Sequence, residues 1–195
     1  MSGNLVFKQI SSYTVNTCGV TTTGRAYCWG EGFSGILGNG ETVNRNVPVP
    51  VSGNLSFAKV SVGLWMACGV TTDGDGYCWG EGGAGLGTGT DVGMSTTPVP
   101  VAGGLKWKAI SAGGFVACGV TTANGGYCWG ELAVVSNRPV AIAGSLLFDQ
   151  VVVDWHSCAL TVTGTAWCWG MGVYGQIGDG NLLSRSVPVK VAGQQ

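Results

Sequence analysis

Charge is scarce in this chain. Lysine and arginine together number 9, aspartate and glutamate 10, and the net charge is −1. Charged residues make up 10% of the sequence, where soluble chains usually carry about 25%. No basic cluster occurs, which argues against sequence-independent nucleic-acid binding, since that needs lysine and arginine to neutralise phosphates. Histidine appears once, as His156. Long apolar runs are missing as well: the best, Val140 to Phe148, is broken by Asp149 and Gln150, well short of the roughly 20 residues that a membrane-spanning helix requires. No stretch shows helical periodicity over the length of a helix. The 36 glycines follow no Gly-X-Y period, which excludes collagen, and eight tryptophans with 45% hydrophobic residues exclude disorder.

What is present is one unit written four times: TCGVTTTGRAYCWGEG (17–32), ACGVTTDGDGYCWGEG (67–82), ACGVTTANGGYCWGEL (117–132) and SCALTVTGTAWCWGMG (157–172). The first cysteines stand at 18, 68, 118 and 158, so the period is 50, 50 and then 40 residues. Self-similarity at such a period marks a repeat architecture. We expect a single repeat domain over 1–195, with repeats at approximately 2–51, 52–101, 102–142 and 143–193. Ser2-Gly3-Asn4-Leu5 matches Ser52-Gly53-Asn54-Leu55, which leads us to expect no signal peptide ahead of the first repeat. A chain that starts and stops on repeat boundaries reads as a fragment of a longer array, with a small protein built only of repeats as the alternative. A feature that recurs four times is not a single catalytic centre, so function is sought where the repeats differ.

The second repeat shows the local structure. Ala67-Cys68-Gly69-Val70-Thr71 and Asp75-Gly76-Tyr77-Cys78-Trp79 flank Thr72-Asp73-Gly74. A three-residue hairpin loop needs its last residue in the left-handed conformation, and that position holds Gly24, Gly74, Asn124 and Gly164. Asparagine is the best non-glycine choice there. The hairpin sets Cys68 across from Cys78, Gly69 across from Tyr77 and Ala67 across from Trp79. One strand face then carries the cysteines and Val70, and the other carries Tyr77 and Trp79 over small partners. Two further runs complete each unit, one of the type Phe57–Val62 and one following proline, as in Val47–Val51. Proline lacks an N–H, so the latter is an edge strand or a strand start. Four short strands per unit make a propeller blade.

These residues resemble RCC1-type repeats (regulator of chromosome condensation), in the cysteine-bearing bacterial form that reads H-[ST]-C-A-L-T…G…Y-C-W-G…G-Q-L-G-D-G…R…P. The fourth unit matches best: His156-Ser157-Cys158-Ala159-Leu160-Thr161, Trp167-Cys168-Trp169-Gly170, Gly175-Gln176-Ile177-Gly178-Asp179-Gly180, Arg185 and Pro188. The first has Gly35-Ile36-Leu37-Gly38-Asn39-Gly40, Arg45 and Pro48. The resemblance implies an all-β, RCC1-like β-propeller. This chain supplies four blades where the family usually has seven, so it forms a partial ring or half of a two-chain ring. The third unit lacks about ten residues after Glu131, including the Gly-Gln-Leu-Gly loop. An open arc is expected to expose blade faces bearing Val20, Tyr27, Val162 and Trp167.

The cysteine spacing is not that of zinc sites. Direct cross-strand opposition favours the disulfides Cys18–Cys28, Cys68–Cys78, Cys118–Cys128 and Cys158–Cys168 over reduced core thiols or a metal. Chain-entropy arithmetic gives about 2.8 kcal/mol per bridge as an upper figure. Such bridges imply an oxidising compartment, hence an extracellular or cell-surface location. The G-x-G-x-x-G matches at Gly30, Gly80 and Gly170 open no helix and read as blade loops. His156 reads as structural or surface, and Glu31, Glu81 and Glu131 as solvated carboxylates without the spacing of a calcium loop. No catalytic residue, cofactor or metal is expected.

The informative variation precedes the first cysteine of each unit. Val15, Trp65, Phe115 and Trp155 stand three residues ahead of it, followed by Asn16, Met66, Val116 and His156. Large apolar residues on a loop joining two strands pack or bind, and aromatics anchor interfaces. We take Val15, Trp65, Met66, Phe115, Val116, Trp155 and His156 as partner-binding candidates on the propeller rim, with packing against the neighbouring blade as the alternative. The leading expectation is a non-enzymatic protein-binding module. A self-associating structural protein of a surface assembly comes second, favoured by the low charge. Guanine-nucleotide exchange comes third and rests on the family resemblance alone.

Overall fold

The computed structural model describes residues 4–131 and 135–194. Ser2 and Gly3, where the first repeat is expected to begin, lie outside them. The chain is all-β: among the described residues, sixteen strands form four antiparallel sheets of four strands each. Blade 1 comprises β1 (Phe7–Tyr13), β2 (Asn16–Thr21), β3 (Ala26–Gly30) and β4 (Arg45–Pro50). Blade 2 comprises β5 (Phe57–Val62), β6 (Met66–Thr71), β7 (Gly76–Gly80) and β8 (Ser95–Pro100). Blade 3 is β9 (Trp107–Ala112), β10 (Val116–Thr121), β11 (Gly126–Gly130) and β12 (Ser136–Ala141). Blade 4 is β13 (Phe148–Val153), β14 (His156–Thr161), β15 (Ala166–Gly170) and β16 (Arg185–Lys190). One 3-10 turn, Gly83–Leu86, is the only helical element among the described residues.

Each blade runs in simple meander order from inner to outer strand. The central hairpins take the register read from the sequence: Cys18, Cys68, Cys118 and Cys158 face Cys28, Cys78, Cys128 and Cys168. Gly24, Gly74, Asn124 and Gly164 have φ of 85°, 83°, 64° and 84°, the left-handed conformation the turn demands. All six prolines lie on the outer strands β4, β8, β12 and β16. There the missing N–H interrupts no ladder on the far side.

Packing follows one rule. Each blade lays its cysteine face on the tryptophan face of the next. Cys18, Val20 and Cys28 pack with Phe57, Val60 and Trp79. Cys68, Val70 and Cys78 pack with Trp107, Ile110 and Trp129, and Cys118 and Val120 with Phe148, Val151 and Trp169. Val20 is therefore buried, not displayed on an end face. The inner strands are also stitched. Ser11, Ser61 and Ser111 each accept, through Oγ, the backbone N–H of Val62, Ala112 and Val153 in the following blade, at 3.0, 3.1 and 3.2 Å.

A loop seals the outer part of the first two interfaces. After β3 the chain makes a turn whose Ile36 and Leu37 are buried. The Ile36 carbonyl accepts the Trp79 indole N–H at 2.8 Å, and the Gly40 N–H donates to the Thr96 carbonyl at 2.9 Å. Blade 2 repeats this: Leu86 is buried, the Gly85 carbonyl accepts from Trp129 Nε1 at 2.8 Å, and the Gly89 N–H reaches the Asn137 carbonyl at 2.7 Å. Gly38 and Gly87 lie flat on these indoles. A Cβ there would come within 2.7 and 2.5 Å of the tryptophan Nε1, and both residues have positive φ.

No apolar cluster among the described residues joins blade 4 to blade 1. The arc has two free faces. Blade 1 presents Phe7, Ile10, Tyr27 and Trp29, with Ile10 58% exposed. Blade 4 presents Val152, Cys158 and Leu160, and Leu160 takes the place that Val20 holds in blade 1. Trp167 pairs with Ala159 on the tryptophan side of blade 4, facing blade 3 rather than the open end.

Candidate functional site

The rim loops link each inner strand to the second strand. A short connection of two or three residues forces the chain to reverse, so its last side chain before β2, β6, β10 or β14 is thrown outward. Val15 and Trp155 are each 60% exposed, Phe115 is 39% exposed and Trp65 is partly buried. The next residue starts a strand and turns inward. Met66 is 0% and Val116 5% exposed, which removes both from the rim surface. Met66 sits beneath its own blade's loop, where a Cβ on Gly82 or Gly85 would touch its sulfur at 3.0 Å. Val116 belongs to the blade 3–4 core. His156 is half-buried, and Asn16 is buried with its Nδ2 donating to the Glu31 carbonyl at 2.6 Å.

The loops after the third strands brace this rim. The backbone N–H groups of Glu81, Glu131 and Met171 donate to the carbonyls of Trp65, Phe115 and Trp155 at 2.9, 2.9 and 3.2 Å. Phe33, missed in the sequence reading, is 51% exposed and packs on Trp65 with ring centroids 5.8 Å apart. Its signal was an aromatic residue directly after the Trp-Gly-Glu-Gly run of the first unit. The outcome is a line of aromatic loops in successive blades, at the end of the arc where β1, β5, β9 and β13 finish.

The same end carries a polar link. Tyr13 Oη donates to Asp154 Oδ2 at 2.6 Å. That bond, then partial burial, then the Asp154 charge push the Tyr13 hydroxyl above the ordinary phenol range. The described residues hold no group of three or more histidine, cysteine or acidic side chains placed to bind a metal. Among the described residues no helix is long and apolar enough to cross a membrane. All eight cysteines are paired as disulfides with Cα atoms 4.0 to 4.1 Å apart, each on the cysteine face of its blade.

The repeat geometry has counterparts among known proteins. One family model for the regulator of chromosome condensation (RCC1) repeat matches residues 23–70, and a second matches residues 7–36 and 151–176. No curated protein sequence matches the chain. Among solved structures, human WBSCR16 is similar with a TM-score of 0.90 and 20% identity, over 98% of this chain and 54% of that one. Yeast RCC1 (Prp20), in its structure bound to Kap60, gives a TM-score of 0.85 and 18% identity over 99% and 50%. The ectodomain of the Physcomitrella patens receptor kinase CR4 gives 0.61 and 23% over 86% and 40%. At these identities the likeness is one of fold, and the chain spans about half the length of the first two. With four copies of the hairpin and the interblade packing in place, the chain folds as four blades of an RCC1-like β-propeller, and the RCC1 repeat is matched over residues 7–70 and 151–176.

Proposed function

We propose that the chain is a non-enzymatic binding module that contacts another protein through its aromatic rim. The observation that carries this is Trp155, a large side chain 60% exposed on a loop held by backbone hydrogen bonds. Val15, Phe33, Trp65 and Phe115 extend the surface along the other blades. Exposed aromatics on rigid loops make low-entropy anchors for an interface. The yeast relative is described bound to Kap60 and with binding to Gsp1p and histones, so the fold supports such use. Four buried or half-buried disulfides favour an oxidising, extracellular or surface setting. The test is the triple variant Trp65→Ser, Phe115→Ser, Trp155→Ser in a pull-down from the native source. Partners recovered by the parent chain are lost, while light scattering gives the same oligomeric state. Retention of every partner refutes the rim.

A second reading, self-association, has its own support in the free faces. Gln9 clamps Val60 of the next blade, donating to its carbonyl at 2.9 Å and accepting its N–H at 3.0 Å. Gln150 stands at the same register position on the open face of blade 4, opposite Leu160 as Gln9 is opposite Val20. Ile10 on the open face of blade 1 corresponds to Val60. Blade 4 of one copy thus carries what blade 1 of another would need, and a two-chain ring of eight blades follows.

A further inference from the structure

We propose that the gap between blades 3 and 4 is a docking cradle for a partner protein's loop, one presenting leucine or isoleucine on a glycine turn. The site is distinct from the rim surface and shares only Trp155 with it. From Gly30 to its outer-strand partner Arg45 is 15 positions, as it is from Gly80 to Ser95 and from Gly170 to Arg185. From Gly130 to Ser136 it is 6. Blade 3 is therefore nine residues short at the loop that seals the other two interfaces. Residues 132–134 fall within that short connection, outside the described residues.

What faces the shortfall is a cleft of about 740 Å3. Val116, Val140 and Ile142 form one wall, and Trp169, Val187 and Pro188 the other, with Trp155 at the mouth. Its polar groups stand where the filled interfaces use theirs. Trp169 occupies the position of Trp79 and Trp129, whose indoles donate to Ile36 and Gly85. No carbonyl among the described residues accepts from Trp169. Ser186 occupies the position of Thr96 and Asn137, whose carbonyls accept from Gly40 and Gly89. One donor and one acceptor thus flank an apolar hollow, in the arrangement that receives Leu37 in the first interface and Leu86 in the second. Arg185, the cation at the edge, is already paired with Asp179, which leaves no free charge for an anionic ligand. The occupant these features fit is uncharged. It offers a carbonyl to Trp169, buries an aliphatic side chain against Val140 and Val187, and uses a glycine to lie flat on the indole, as Gly38 and Gly87 do.

The probe is a synthetic peptide with the sequence of residues 34–40, Ser-Gly-Ile-Leu-Gly-Asn-Gly, titrated into the oxidised, isotope-labelled chain. The indole N–H signals of Trp169 and Trp155, assigned through Trp169→Phe and Trp155→Phe, shift on addition. The Leu37→Asp form of the peptide binds about tenfold more weakly or worse, the cost of losing one buried aliphatic side chain. Replacing residues 131–135 with the segment 81–94 gives blade 3 its own sealing loop, and the peptide shift disappears. Should that graft not fold, Val187→Asp, at a position 51% exposed, weakens binding in a folded chain. Absence of a shift at Trp169 in the parent chain means that its own residues fill the cleft, and overturns the proposal. So does a shift that persists in both the graft and Val187→Asp, or one indifferent to Leu37→Asp. If Val187→Asp alone, with no peptide present, lowers the mass of the self-associated chain, the cleft is filled by a second copy and the partner assignment is overturned.

Discussion

Tyr13 and Asp154 are 141 residues apart in sequence, and the tyrosine hydroxyl donates to the carboxylate at 2.6 Å. Tyr13 ends β1, the innermost strand of blade 1, and Asp154 follows β13, the innermost strand of blade 4. The bond runs between the first and last blades of the arc, which share no apolar cluster among the described residues. It therefore ties the inner-strand ends together where the sheets themselves do not meet.

A pH dependence follows. A phenol whose pKa is raised on folding holds its proton more tightly in the native state. Its stabilising contribution is complete below the ordinary value of 10.0 and is lost as pH rises through the higher folded value. Tyr13→Phe is expected to cost about 0.5 kcal/mol at neutral pH, the low end for a hydrogen bond whose partners are partly solvated. The stability gap between the parent and Tyr13→Phe then closes above pH 10. Denaturant melts of both across neutral to alkaline pH measure it, and a gap that widens with pH contradicts the assignment.

The disulfides are expected to differ in resistance to reductant. Cys18, Cys28, Cys68 and Cys78 are fully buried between blades, whereas Cys128 borders the cleft and Cys158 lies half-open on the free face of blade 4. Mass spectrometry of timed, alkylated samples under native conditions should find Cys158–Cys168 opened first, Cys118–Cys128 next and the other two last. Each bridge closes a short loop, so its loss costs up to about 2.8 kcal/mol. Eight free thiols in fully oxidised protein would remove the bridges altogether.

Tryptophans of equal rank in the sequence are not equal in the fold. Trp79 is 0% exposed beneath the blade 1 loop, and Trp79→Ala should destabilise by about 3–5 kcal/mol. Trp29 lies partly exposed on the free face of blade 1, and in an isolated chain Trp29→Ala should cost far less. Chemical denaturation of the two variants compares them directly.

Self-association supplies the next expectation. The free faces carry Ile10, Val152 and Leu160, all substantially exposed, and repeat arrays without polar caps associate. Light scattering over a concentration series should show mass above 19.8 kDa in the parent chain, and Ile10→Asp should lower it. A sharp monomer at every concentration would show that the arc caps itself.

The repeat and its hairpins were legible in the sequence because they are local. A cysteine ten residues from its partner, a left-handed glycine or Asn124 at the turn and small residues facing Tyr and Trp dictate strand register without reference to the rest of the chain. Confinement of proline to one strand per unit marked the outer edge for the same reason. What lies between blades was not legible. Alternation told that Cys68 and Trp79 take opposite faces, but not that one blade's cysteines meet the next blade's tryptophan, which buries Val20 and frees Leu160. Position along the chain grouped Met66 and Val116 with the rim, yet the first residue of a strand turns into the core while its neighbour turns out. Contacts 43, 44 and 141 residues apart, from Trp79 to Ile36, Trp129 to Gly85 and Tyr13 to Asp154, arise only when blades stack at a fixed angle. Tertiary packing alone therefore decided which tryptophans are sealed and where a missing loop leaves a gap, because sealing depends on a neighbour that no local pattern encodes.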